Sequence, residues 1–145
     1  MNKFELKFSA MIENEAVLRV LVSSFLAPLG ISDEEIMEVK TIVSEGVSNA
    51  IIHGLENDPN RMVEVRIELD DEELYIMIKD DGKGIEDLEL ALTPMFSTLK
   101  IEEHTGMGFT IMSTFSDEFD VKSAVNHGTE IHIRKYLHHY DNDIV

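Results

Sequence analysis

Glu45 and Asn49 stand four residues apart in Ser44-Glu45-Gly46-Val47-Ser48-Asn49. In a helix that spacing stacks both side chains on one face, one turn apart. A carboxamide oxygen there can ligate a hard cation such as Mg²⁺, and a carboxylate can take a proton. By itself the pair is also what an ordinary polar helix surface offers. Asp80-Asp81-Gly82-Lys83-Gly84 is a second candidate. An ionised carboxylate only accepts hydrogen bonds, so Asp80 suits an exocyclic amine such as that of adenine. Gly82 and Gly84 would let backbone approach a flat ring without a Cβ clash. Asp-Gly is equally a common turn dipeptide. Gly106-Met107-Gly108 precedes an apolar stretch. Free N–H groups at a helix start favour phosphate, and glycines remove obstruction. No Gly-Lys-Ser/Thr follows, so this is not a P-loop, and no βαβ unit surrounds it. Thr129, after Asn126-His127-Gly128, has a hydroxyl that can reach back toward Asp80. The six histidines form no set at metal-ligand spacing.

These residues need elements to position them. Ser32 and Glu35 form a capping box ahead of one long helix, Ile36 to Leu55. Ile36, Val39, Val43, Val47, Ala50, Ile51 and Gly54 supply its buried stripe. Lys3 to Ala10 alternates like a strand. Asn14 to Ala27 reads as a first helix, with Val17, Val20, Leu21, Ser24 and Phe25 on its inner side and Pro28 and Gly30 ending it. Met62 to Leu69 and Leu74 to Lys79 form a hairpin across Asp70-Asp71-Glu72, and Phe119 to Val125 and Thr129 to Lys135 form another. Between the hairpins lie a short helix, a mobile segment around Pro94 to His104, and a helix from Gly106 to about Phe115. Tyr136 to Val145 is expected to fray. The order β-α-α-β-β-α-β-β predicts a two-layer α/β sandwich, its sheet mixed but largely antiparallel and covered by helices on one face.

The length of 145 residues fits a single domain, 1–145. Twelve Lys and Arg face 29 Asp and Glu, a net charge of −17 that repels nucleic acid. No apolar run is long enough to span a membrane, the N-terminus lacks a signal-peptide pattern, and cysteine is absent. These features predict a cytoplasmic protein.

Glu45-x-x-x-Asn49, Asp80-x-Gly82-x-Gly84, Gly106-x-Gly108 and Gly128-Thr129 occur in the order of the Bergerat (GHKL) ATP-binding fold shared by gyrase, Hsp90, histidine kinases and MutL. Within that superfamily, Ser44 to Gly54 resembles the N box of the anti-sigma-factor serine kinases. Thr105 to Met112, Asn57-Asp58-Pro59-Asn60 and Pro94-Met95-Phe96-Ser97-Thr98 resemble the same family. The resemblance covers roughly Phe8 to Ile133.

It implies a protein serine/threonine kinase using ATP and Mg²⁺. Asn49 would ligate Mg²⁺, Glu45 would be the general base, and Asp80 would bind the adenine amine with Gly82, Gly84 and Thr129 around it. Ser97, Thr98, His104, Thr105, Gly106, Met107 and Gly108 would form the phosphate lid. The partners implied are a second copy in a homodimer, a sporulation sigma factor, and an anti-anti-sigma factor phosphorylated on serine. Arg19 would dock both protein partners. His104 replaces an Arg that in the family reaches both the terminal phosphate and a partner. Leu99 stands where the family often has Lys, with Lys100 one place late. Because of these departures, a sigma-binding module with weak or no kinase activity is the alternative. A sensor histidine kinase module fits less well, since histidine needs less help than serine from a base such as Glu45.

Overall fold

The computed structural model describes residues 1–93 and 105–138, with only the backbone of Thr105 and Gly106. Strand β1 (Asn2–Ser9) leads into helices α1 (Glu13–Leu26) and α2 (Asp33–Asn49). The hairpin β2 (Met62–Asp70) and β3 (Glu73–Asp80) follows, then the one-turn α3 (Leu88–Ala91) and α4 (Thr105–Phe115). The hairpin β4 (Glu118–Ala124) and β5 (Gly128–Tyr136) completes the sheet. Its order is β1-β2-β3-β5-β4. All four neighbouring pairs are antiparallel, so the parallel pairing expected of a mixed sheet does not occur among the described residues.

Alternation along the strands makes two unlike faces. Val63, Val65 and Ile67, Leu74, Ile76 and Ile78, and Ile131 and Ile133 are buried under the helices. The opposite face is a grid of alternating charge. Register places Lys7, Glu64, Lys79, Glu130 and Lys122 in one cross-strand row. A second row, Lys3, Glu68, Tyr75, Arg134 and Glu118, lies four residues along. Opposite charges facing each other across strands stabilise the pairing. Arg66 meets Glu5 at 3.1 Å, and the Arg134 guanidinium lies 5.1 Å from the Tyr75 ring centre. This face covers itself and leaves the helical face to carry the cleft.

Helix α1 is phased differently from its expectation. It buries Leu18, Val22 and Leu26, at i, i+4 and i+8, while Val17 and Val20 are 57% and 66% exposed. Leu21 and Phe25 are partly buried, and Phe25 meets Phe4 of β1 edge-on at 5.1 Å. The helix carries apolar residues at two adjacent phases, and packing against α2 and β1 selects one of them.

Ser32 caps α2 as expected, its hydroxyl accepting from Glu35 N–H at 3.1 Å. The Glu35 carboxylate accepts instead from the backbone N–H of His138, at 2.9 Å. Tyr136, Leu137 and His138 are therefore held rather than frayed: Leu137 is buried and its N–H donates to Glu72 C=O at 2.7 Å. The long helix extends as read but changes pitch after Asn49. Ala50–Gly54 forms a π turn, with Leu55 N–H donating to Ala50 C=O at 2.8 Å. Such wide turns concentrate at functional sites.

Lys135 ties α2, α4 and β5 together. Its ammonium, 7% exposed as a residue, donates to Phe115 C=O at 2.8 Å and lies 3.4 Å from Glu38. A cation at the last carbonyl of α4 satisfies an orphan acceptor and opposes the negative end of the helix dipole. Lys135→Met keeps the apolar stem and leaves that carbonyl and Glu38 without their donor. Urea denaturation should show a loss of about 1–3 kcal/mol; a change within about 0.5 kcal/mol, the range of an inconsequential surface substitution, would deny Lys135 this role.

Candidate functional site

Helix α2 approaches the sheet and α4 closely because residue 46 is glycine. A Cβ there would fall 2.3 Å from Ile78 Cδ1 and 3.4 Å from Met112 Sδ. The close approach aims the adjoining Glu45 at α4. A Cβ on Gly108 would sit 3.1 Å from Glu45 Oε2, so the carboxylate lies against the glycine backbone in the first turns of α4. Glu45, Ser48, Asn49, Ile52 and His53 on one side, with Met107, Gly108 and Ile111 on the other, wall a cleft of about 340 Å³. The fold thus brings the Glu45–Asn49 pair to the second glycine motif, as the spacing required. A carboxylate, a carboxamide and a helix start around one space can hold a phosphate with its cation and receive a proton.

Asp80 ends β3 beyond the π turn of α2. It is 5% exposed, and its Oδ1 accepts from Gly82 N–H at 2.9 Å. Burial pushes its carboxyl up from 3.8 to about 6, against the opposing pull of the Gly82 and Thr129 backbone N–H groups. Three glycines close around it. A Cβ on Gly54 would lie 2.6 Å from Asp80 Oδ1, one on Gly82 1.9 Å from Gly54 C=O, and one on Gly128 2.0 Å from Asp80 C=O. The Gly54 carbonyl also accepts from Lys83 N–H at 3.0 Å. The last turn of α2, the Asp80 loop and the β4–β5 hairpin are therefore one interlocked unit.

Two expectations at this unit change. Gly82 and Gly84 do not face open space: Gly84, at φ +72°, has Ala124 C=O where a Cβ would be, at 2.1 Å. Their first use is close backbone packing. Thr129 pairs with Asp80 in register, but its hydroxyl hydrogen-bonds the Ser123 hydroxyl at 2.9 Å rather than reaching Asp80. Ser123 in turn accepts from Ile85 N–H at 2.8 Å and so fixes the segment after Gly84.

Of the remaining site residues, Met107 is about half exposed at the cleft and Arg19 stands exposed on α1, away from the cleft lining. Thr105 and Gly106 lie in the first turn of α4. Ser97, Thr98 and His104, with Leu99 and Lys100, lie outside the described residues. Sequence reasoning missed Ser48 and His53. The signal for His53 was available: Glu45, Asn49 and His53 run at i, i+4 and i+8, but His53 was weighed only within the six-histidine metal search and the N-box resemblance. The described residues contain no group of three or more His, Cys, Asp or Glu able to hold a metal.

The raised carboxyl of Asp80 has a signed consequence. The folded state holds that proton more tightly than the unfolded chain, so stability is lost as pH rises from about 4 through 6. Asp80→Asn should raise unfolding free energy at pH 7.5 by about 1–2 kcal/mol, with less gain at pH 5. Denaturation at both pH values reads this, and a variant destabilised equally at both would refute the burial argument.

The family profile of the histidine kinase-like ATPase domain matches residues 8–135. A protein of Shouchella clausii named anti-sigma F factor is 50% identical over 136 residues, covering 94% of this chain and 93% of its own. An anti-sigma F factor of Geobacillus sp. strain WCH70 is 46% identical with the same coverage. The solved RsbU and RsbW domains of Rv1364c from Mycobacterium tuberculosis share the fold, with a TM-score of 0.68 at 18% identity. That match covers 94% of this chain and 33% of the other. No helix among the described residues is long and apolar enough to cross a membrane. The histidine kinase-like ATPase match over residues 8–135, with 50% identity to an anti-sigma F factor across 94% of the chain, places this protein in the anti-sigma F factor family.

Proposed function

We propose that this protein is an ATP-dependent anti-sigma factor. It holds a sporulation sigma factor and phosphorylates an anti-anti-sigma antagonist on serine. The observation that carries the kinase reading is the placement of Glu45 against Gly108, one turn from Asn49 and on the wall of the same cleft. The names of the relatives support the sigma-binding part.

In this reading Asp80 accepts from the adenine amine, with Gly82, Gly84 and Thr129 shaping the surroundings. Asn49 gives its amide oxygen to Mg²⁺, which when bound would offset charge on the phosphates. Gly106, Met107 and Gly108 present backbone to the phosphates, and Ser97, Thr98, His104 and Thr105 complete the lid. Glu45 takes the proton of the substrate serine as its oxygen bonds to the terminal phosphorus of ATP. The bond from that phosphorus to the bridging oxygen breaks, and ADP leaves. Most of the rate in such transfers comes from positioning and charge stabilisation, with a smaller part from the base. Arg19 docks the protein partners, and the protein works as a homodimer. The same cleft in a protein that only holds sigma would bind ATP without transferring phosphate.

Glu45→Ala separates these readings. With labelled ATP and the antagonist, phosphotransfer should fall about 10²–10⁴-fold, while ATP affinity stays within a few fold. Undiminished transfer would remove Glu45 as the base. No transfer by the unaltered protein, with sigma still held, would leave the binding module alone.

A further inference from the structure

Glu15 joins the exposed face of α1 to the helix that carries Glu45. Its Oε1 lies 2.9 Å from Arg19 Nε, one turn on, in an ion pair. It also accepts from the hydroxyl of Ser44, the residue before Glu45 on α2. The Glu15 side chain is 13% exposed and that of Arg19 is 47% exposed. The carboxylate is thus set in the seam between two helices while the guanidinium stands in water. Beside Arg19 the same helix exposes Val20 at 66%, and Ile12, just ahead of the helix, is 44% exposed. Ala16 lies between them, also exposed, so the three run at four-residue spacing along one side.

We infer that Glu15 is a positioning residue for partner docking: its ion pair with Arg19 holds the guanidinium at the helix seam and presents it to a carboxylate on the partner. This rests on the reading of Arg19 as a docking residue. A guanidinium has five N–H donors in a planar fork. With the guanidinium paired to Glu15 at its Nε side, its terminal nitrogens can make a bidentate grip on a carboxylate. The exposed strip formed by Ile12, Ala16 and Val20 matches an acidic group in an apolar surround. A held arginine also has less rotamer freedom to lose on binding than a free one. Ser44 donates to the same carboxylate oxygen that pairs with Arg19, so the arginine is referenced to α2 rather than to α1 alone. The partner surface is then registered against the helix that bears Glu45.

The sign of the effect separates positioning from simple charge. If Glu15 only weakened the positive potential of Arg19, its removal would tighten an acidic partner. Positioning requires the reverse. The test is calorimetric titration of the ATP-loaded protein with the sigma F factor of Shouchella clausii, whose anti-sigma F factor is 50% identical to this chain. Arg19→Ala should weaken binding by about 30-fold or more. Glu15→Ala should weaken it about 3- to 10-fold. Glu15→Gln, which removes the charge that pairs with Arg19, should weaken it by a similar factor. In an Arg19→Ala background, Glu15→Ala should change affinity less than about twofold, because nothing is left to position.

Should Glu15→Ala fail to fold, Glu15→Asp takes its place. It keeps the charge but withdraws the carboxylate by one methylene, and the same loss and the same cycle are expected. Tighter or unchanged binding by the Glu15 variant would overturn the inference. So would a loss that persists without Arg19, which would make Glu15 a direct contact. If Arg19→Ala binds as tightly as the unaltered protein, the docking reading of α1 fails, and the inference with it.

Discussion

Burial of one carboxylate constrains much of this protein. Asp80 sits where the end of β3, the last turn of α2 and the β4–β5 hairpin meet, and each of the latter two meets it with a glycine. A carboxylate taken out of water is costly unless its lone pairs are met. Here the backbone N–H groups of Gly82 and Thr129 meet it in part, and its carboxyl still rises to about 6. Asp80 lies outside the lining of the Glu45–Asn49 cleft and borders two neighbouring hollows, one with Arg61 and Lys79 and one with Ser123 and Thr129. The cost is accepted at one point and the surrounding backbone closes tightly around it.

That closure fixes one end of the helix that walls the cleft. The π turn at Ala50–Gly54 lets the Gly54 backbone reach both Lys83 N–H and the Asp80 carboxylate. With that end of α2 fixed, Gly46 seats the middle of the helix against Ile78 and Met112, and Glu45 turns toward Gly108. Lys135 holds the far end of α4 through Phe115. Helix α4 is therefore restrained at its C-terminal end, while its first turns face the cleft.

Much of this was legible in the sequence, for local reasons. The strand alternation, the Ser32 cap and both hairpins appear within a few residues of where they were read, because turn residues and periodicity act locally. The Glu45–Asn49 spacing carried over directly, since a helix fixes i and i+4 on one face. What was not legible depends on packing partners. Val17 and Val20 were read as buried, but the choice between two apolar phases of α1 belongs to α2 and β1. The Glu35 carboxylate was read as half of a capping box, yet it holds His138, 103 residues away. The Thr129 hydroxyl goes to Ser123, a partner that only the hairpin register reveals. Gly82 and Gly84 were read as room for a ring, whereas neighbouring carbonyls occupy that room.

The measurement that bears most directly on the role of Asp80 is calorimetric titration of the unaltered protein with Mg²⁺-ATP and Mg²⁺-GTP at pH 7.5. At that pH the carboxyl is ionised and only accepts. Adenine offers an exocyclic amine where guanine offers a carbonyl oxygen, so ATP should bind at least about tenfold more tightly, in line with a hydrogen bond to a charged group worth roughly 1.5–3 kcal/mol. Equal affinity for the two nucleotides would contradict the account.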